Sequence, residues 1–291
     1  MTGTAAAPAV FARVERFATI GSTNDVVRGW LSDGVPEICL AVADEQTAGR
    51  GRHGRTWSAP PGAAVLASLG FRPTWLPPER AWRLAATVAL AMADAAEDAA
   101  GLPVGAIRLK WPNDLVIEVA GPNALLMGEL DARAAATLLA SPVDLRKLAG
   151  ILGESDGLGT DDPRVVVGIG INADWRERDF PPDLAGLMTS LREASGGRPI
   201  DREALLAGFV DRLDSRITAL KTGYFDLATW ADRQATTGRL VTLDDDPRPI
   251  PALGVDAASG GLMVADAGTA NGERIVHAGE VRRVRLARAG V

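Results

Sequence analysis

The stretch Gly49-Arg50-Gly51-Arg52-His53-Gly54-Arg55-Thr56-Trp57 packs three glycines and three arginines into seven residues, with a tryptophan two positions on. Glycine lets a backbone come close to a ligand and take up a positive φ. Arginine offers a planar, permanently charged fork that matches carboxylate and phosphate oxygens. Such a loop suits an anion; read alone, it equally suits a solvated basic turn or a nucleic-acid backbone. Other stretches carry chemistry of the same kind. Ser22-Thr23-Asn24-Asp25 reads as a helix cap with Asp25 closing a capping box, or as a cluster of small polar groups for a polar ligand head. Lys110-Trp111-Pro112-Asn113-Asp114 sets a lysine and a carboxylate around a corner, a cation for phosphate and an anion for Mg²⁺ or an amine nucleophile. Gly168-Ile169-Gly170-Ile171-Asn172 puts glycines at alternate strand positions, where another backbone or a ligand approaches closely. It lacks the strand–GxGxxG–helix context of a dinucleotide site.

The totals narrow these options. The net charge of −6 argues against a general nucleic-acid binder, so the basic loop is a local feature and the small-anion reading gains. A single cysteine, Cys39, excludes an internal disulfide and a cysteine metal cluster, and His53 and His277 are too few for a histidine-rich metal site. No apolar run is long enough to span a bilayer, and Met1–Ala12 lacks the order of a secretory signal. Among 31 basic residues only Lys110, Lys147 and Lys221 are lysines, which hints that a compact, movable ammonium is needed where one survives.

The elements that would position these residues follow from periodicity. Residues 1–12 read as a frayed end. Strands are expected at Val14–Ile20, Ile38–Ala43 and Ala63–Phe71, with a helix after Ser22 that ends at Gly34. Pro77–Ala100 predicts a helix with Trp82, Leu84, Ala85, Val88 and Met92 as its core face. Ile107–Ile117 reads as strand–turn–strand, residues 120–145 as a surface insertion, and Lys147–Glu154 and Arg164–Ile171 as further strands. Leu205, Phe209, Leu213 and Ile217, spaced by four, mark a core helix over Asp201–Leu220. From Gly238 onward, short alternating strands predict a small β-barrel. The chain thus divides into a domain over 1–237 and one over 238–291.

Taken in order, Ser22-Thr23-Asn24, the Gln46…Gly49–Trp57 loop, Lys110–Asp114, Lys147–Glu154 and Gly168–Asn172 resemble a biotin protein ligase over roughly residues 14–286. The resemblance implies an α+β fold, class II synthetase-like, with a mixed, mostly antiparallel sheet, helices on one face and a C-terminal SH3-like barrel. It implies activation of biotin by ATP and Mg²⁺ to biotinyl-5′-AMP with loss of pyrophosphate. Biotin then passes to a lysine of the biotin carboxyl carrier domain of an acyl-CoA carboxylase. Ser22, Thr23, Asn24 and Gln46 would bind the ureido head, with Gly49, Arg50, Gly51, Arg52 and Lys147 completing the biotin site. Arg50, Arg52, Arg55, Trp57, Lys110, Asn113 and Asn172 would hold ATP and the adenylate, Trp57 stacking on adenine. Lys147, Arg52 and Asp114 would carry the catalysis, and Asp114 would also face Mg²⁺. The arginine loop is expected to be mobile when empty and to order over the adenylate.

Three departures modify the expectation. Twenty-one residues precede Ser22, too few for the winged-helix DNA-binding domain of bifunctional members, so a ligase that does not repress transcription is expected. Thirty-three positions separate Asp114 from Lys147, where a tight hairpin is common in the family. His53 stands where many relatives carry another residue. The expected protein is cytoplasmic, a monomer or weak dimer, and contacts neither DNA nor membrane. A lipoate or octanoate ligase and a biotin sensor without catalysis are the competing readings.

Overall fold

A computed structural model describes residues 11–119, 144–244, 248–279 and 284–286 of the chain. Seven strands form the main sheet: β1 (Arg13–Ile20), β2 (Cys39–Gln46), β3 (Ala64–Phe71), β4 (Ile107–Lys110), β5 (Asp114–Val119), β6 (Asp144–Asp156) and β7 (Arg164–Asn172). Their order is β1-β2-β3-β7-β6-β5-β4; β1 and β2 run parallel and every other neighbour is antiparallel. This is the mixed, mostly antiparallel α+β architecture expected from the sequence.

Alternation along the central strands sorts side chains between two faces. Val65, Ala67, Leu69 and Phe71 of β3 and Val165, Val167, Ile169 and Ile171 of β7 all enter the large core. That core is covered by α2 (Trp82–Ala100) and α4 (Arg202–Lys221), which pack on each other. Leu205, Phe209, Leu213 and Ile217 of α4 are fully buried, as their spacing demands. Asp201 caps α4 by accepting from the amides of Glu203 and Ala204, and Gly101 ends α2 in the left-handed conformation. Two short helices, α3 (Leu191–Ala194) and α5 (Leu227–Asp232), went unforeseen because neither is long enough to show a period.

The other face carries α1 (Thr23–Ser32), which packs on β2, β3 and β7 through Val27, Trp30 and Leu31. The helices therefore do not all lie on one face. The half of this face that α1 leaves uncovered is the floor of the site. Ser22 is the N-cap residue of α1, but its side chain makes no cap bond, so the expected capping box is absent. Asp25 instead pairs with Arg28 and Arg50. Phe11 is buried and the Ala12 amide bonds the Ile38 carbonyl, so these two residues are not frayed. Of the expected insertion, residues 120–143 lie outside the described residues; Asp144 and Leu145 open β6.

A second sheet comprises β8 (Leu240–Leu243), β9 (Ile250–Val255), β10 (Leu262–Ala265), β11 (Glu273–Val276) and β12 (Val284–Leu286), in the order β11-β10-β9-β8-β12. All its ladders are antiparallel, and none joins β11 to β12 among the described residues. Trp82 and Trp111 fasten this sheet to the larger one, their indole N–H groups donating to the carbonyls of Ala258 (3.1 Å) and Gly260 (3.0 Å). Trp82 packs against the large core beside Phe225 and Trp230, as its helical phase suggests, but is only half-buried and also serves as a joint to the second sheet. No described helix is long and apolar enough to cross a membrane.

Candidate active site

Three groups of residues meet on the open face. The first is a polar pocket at the start of α1. The Thr23 amide and hydroxyl both donate to Gln46 Oε1 (2.8 and 3.0 Å) at the end of β2. Ser68 Oγ, fully buried on β3, lies 2.7 Å from Thr23 Oγ1 and 2.6 Å from Asn24 Oδ1. Asn24 Nδ2 donates to Glu154 Oε2 at 2.7 Å. Asn24 reaches the sheet only because position 168 has no side chain: a Cβ there would stand 2.1 Å from Asn24 Oδ1. Ser22, Thr23 and Asn24 are all buried, an unusual concentration of small polar groups in a solvent-shielded place. The pocket suits a compact ligand head bearing both N–H and C=O groups.

The second group is the arginine loop, which folds as a narrow hairpin. The Trp57 amide bonds the Gly49 carbonyl (2.9 Å), the Gly51 amide bonds the Arg55 carbonyl (2.6 Å), and Arg50 bridges Thr56. The tip turns at His53, whose φ of 56° is left-handed, and at Gly54. Gly49 is obligatory, since a Cβ would lie 2.3 Å from the Trp57 carbonyl oxygen. Arg50 pairs with Glu154 (2.8 Å) and Asp25 (2.9 Å). Arg52 reaches Asn113 Oδ1 (3.4 Å) and the carbonyl of Ala278. Burial first, and then the neighbouring Arg55, pull the Arg52 guanidinium below its usual range, against the opposing pull of Asp114 and Asp244. It stays charged at neutral pH because its free pKa is so high.

The third group is the floor. Gly150 of β6 faces Gly170 of β7 directly across the ladder, leaving bare backbone. The Trp57 indole lies on it: a Cβ at 170 would be 2.6 Å from the ring, and one at 150 would be 3.0 Å away. Lys147 Nζ stands 5.4 Å from the centre of that ring and 2.6 Å from Asp114 Oδ1. The segment after β7 holds Lys147 from behind, its backbone pairing with Leu187 and Thr189. Asn172 Nδ2 donates to the Thr189 carbonyl (3.0 Å). Beside this floor the buried Trp57 Nε1 and Asn172 Oδ1 have no hydrogen-bond partner, and Asp114 Oδ1 meets only the Lys147 ammonium. Orphans of this kind mark where a ligand supplies the missing partner.

The structure brings Thr23, Asn24, Gln46, Gly49, Arg50, Arg52, Trp57, Asn113, Asp114, Lys147 and Asn172 to one face, with Ser22 and Gly51 at its margins. It does not bring Lys110 there: that ammonium donates to the Val284 carbonyl (3.0 Å) of the second sheet. Arg55 and His53 are exposed on the loop. Sequence reasoning missed Ser68 and Glu154 as members of the site. Ser68 had a signal, a lone hydroxyl in the otherwise apolar strand Ala64–Phe71. Among the described residues no cluster of three or more His, Cys, Asp or Glu could hold a metal, and Asp114 is paired with Lys147.

The sequence matches the biotin/lipoate A/B protein ligase family over residues 17–172. It is 32% identical over 187 residues to the bifunctional ligase/repressor BirA of Bacillus subtilis, covering 64% of this chain and 48% of that protein. It is 28% identical over 271 residues to a biotin–[acetyl-CoA-carboxylase] ligase of Mycobacterium tuberculosis, covering 92% of this chain and 88% of that one. The chain spans about half the length of the first of these relatives. Among solved structures, the biotin protein ligase of Aquifex aeolicus in complex with biotin and ATP superposes with a TM-score of 0.71 at 23% identity, over 95% of this chain and all of that one, which establishes the shared fold. The family match covers more than half of the sequence, and the chain belongs to the biotin/lipoate A/B protein ligase family.

Proposed function

We propose that the chain joins biotin to ATP as biotinyl-5′-AMP and then transfers biotin to a lysine of the carrier domain of an acetyl-CoA carboxylase. The observation that carries this reading is Lys147 beside Asp114 on the glycine floor, between the polar pocket and the orphaned atoms of Trp57 and Asn172. A carboxylate leaving the polar pocket and a nucleotide on the Asn172 side would meet at that ammonium. The names of the relatives and the solved biotin and ATP complex support both substrates.

In the first step a biotin carboxylate oxygen bonds to the α-phosphorus of ATP. The bond to the β-phosphate bridging oxygen breaks, and pyrophosphate leaves. Both reactants are anions, so fixed positive charge does the catalysis. Lys147 and Arg52 neutralise the carboxylate–phosphate junction, and Arg50 leaves Glu154 and Asp25 for the anionic oxygens of the substrate. Mg²⁺ would accompany the triphosphate as part of the substrate and would supply charge neutralisation there. In the second step the carrier lysine amine attacks the acyl carbon of the mixed anhydride and AMP leaves; Asp114 takes up the released proton. The loop of residues 49–57 closes over the adenylate and excludes water, which would hydrolyse it.

In this reading residues 238–291 form a separate SH3-like module, with the boundary at 237/238, and the reaction runs in the cytoplasm. The test is release of pyrophosphate from ATP with biotin, lipoate or octanoate as the acid. Release that requires biotin is the expected result. Release with lipoate or octanoate but not biotin moves the chain to the other branch of its family.

A further inference from the structure

Glu154 sits where the polar pocket and the arginine loop meet. It lies on the open face of β6, its side chain about a quarter exposed. Oε2 accepts from Asn24 Nδ2 (2.7 Å) and from Arg50 (2.8 Å), while Oε1 accepts from Arg28 (2.7 Å). Three donors from α1 and the loop thus converge on one carboxylate, which has room for them because each oxygen carries two lone pairs. Asn24 is held at both ends. Its carbonyl end is fixed by Ser68 and its amide end by Glu154, and the missing side chain at Gly168 is what lets it lie there. Among the described residues Arg50 has one other acidic partner, its pair with Asp25, whose carboxylate is not among the groups that hold the Asn24 amide.

We infer that Glu154 is a positioning residue that latches the arginine loop to the polar pocket, so that one carboxylate serves both the orientation of the Asn24 amide and, together with Asp25, the resting place of Arg50. The ligand side of this inference rests on the proposed biotin reaction; the latch itself is a property of the empty protein. When Arg50 leaves for a substrate anion it gives up its pairs with Glu154 and Asp25 and takes the charge of the ligand in their place. Asn24 keeps its hold on Glu154 during that exchange, and the pocket stays formed while the loop moves. An amide at 154 does this less well. With its oxygen toward Asn24 and Arg50 it carries no charge to hold the guanidinium, and its Nε2 faces Arg28, another donor.

The experiment compares full-length wild type, Glu154→Gln and Asp25→Asn by limited trypsin digestion without ligands, and by KM for biotin against kcat for pyrophosphate release. Glu154→Gln is expected to speed cleavage within residues 49–57 severalfold and to raise KM for biotin about tenfold, since a charge-assisted hydrogen bond is lost. Its kcat should stay within roughly threefold, as expected for a group that does not act on the reacting atoms. Asp25→Asn removes the other partner of Arg50 and spares Asn24, so it should speed cleavage and leave KM for biotin unchanged. Unchanged cleavage in Glu154→Gln overturns the latch. An unchanged KM in that variant, or a raised KM in Asp25→Asn, overturns the role assigned toward Asn24. Wild type that releases no pyrophosphate with biotin refutes the proposed reaction instead, and the cleavage comparison then decides the latch alone.

Discussion

Gly150 and Gly170 face each other across the β6–β7 ladder, and the indole of Trp57 rests on the backbone they leave uncovered. Two positions along β7, Gly168 does the same for Asn24. The two glycines differ in what a methyl group would displace. At 170 it meets a ring on a loop; at 168 it meets an amide locked between Ser68 and Glu154. Gly168→Ala should therefore destabilise the protein by about 1–3 kcal/mol, the usual cost of overpacking, and Gly170→Ala by less. Urea denaturation midpoints check this. Equal losses in the two variants would mean that Trp57 is held as firmly as Asn24.

Arg233 and Glu97 form a bidentate pair (2.7 and 3.0 Å) between α2 and the end of α5, both nearly inaccessible to solvent. Arg233 also meets Asp94, and both partners bond the backbone of Ile107, which opens β4. Removing one member leaves a buried charge uncompensated. Arg233→Met should cost about 3–5 kcal/mol, and adding Glu97→Leu should recover much of it. A loss under about 1 kcal/mol in the single variant, or no recovery in the double, would contradict this account.

Cys39 is fully buried beneath α1, and burial pushes its thiol up to about 11. The folded state thus favours the protonated thiol. Its contribution to stability is present below the unfolded pKa of about 8.5 and is lost as pH rises toward the folded value. Native protein at pH 8 should react slowly with iodoacetamide and rapidly once unfolded in urea. Between pH 8.5 and 11 wild type should lose stability more steeply than Cys39→Ala; parallel slopes, or fast native alkylation, would refute the assignment.

Most strands of the main sheet were legible because each has an apolar run bounded by turn residues, although β2 and β6 extend beyond theirs into polar residues. The long helices were legible because their apolar residues recur every four positions. Leu205 through Ile217 illustrates the point, lying in the core as spaced. What could not be read was partnership across the chain. Nothing local to Lys110 says that its ammonium meets Val284 rather than the site. Nothing in the phase of α2 says that Trp82 turns to a second sheet. Glu154 is one acidic residue among many until the fold brings Asn24 and Arg50 to it from more than a hundred residues away. The glycines were the better guide: alternate glycines in a strand signalled close approach, and Asn24 and Trp57 are what approach.

Lys147, 2.6 Å from Asp114 on the glycine floor, is the centre of the account, and pyrophosphate release tests it most directly. Wild type should release pyrophosphate from ATP only when biotin is present and should turn over when a carrier domain is added. Lys147→Ala, with its fold checked by circular dichroism, should lose about 10²–10³ in kcat, the usual effect of removing one charge-stabilising group. A folded Lys147→Ala protein that releases pyrophosphate at close to the wild-type rate would contradict the account.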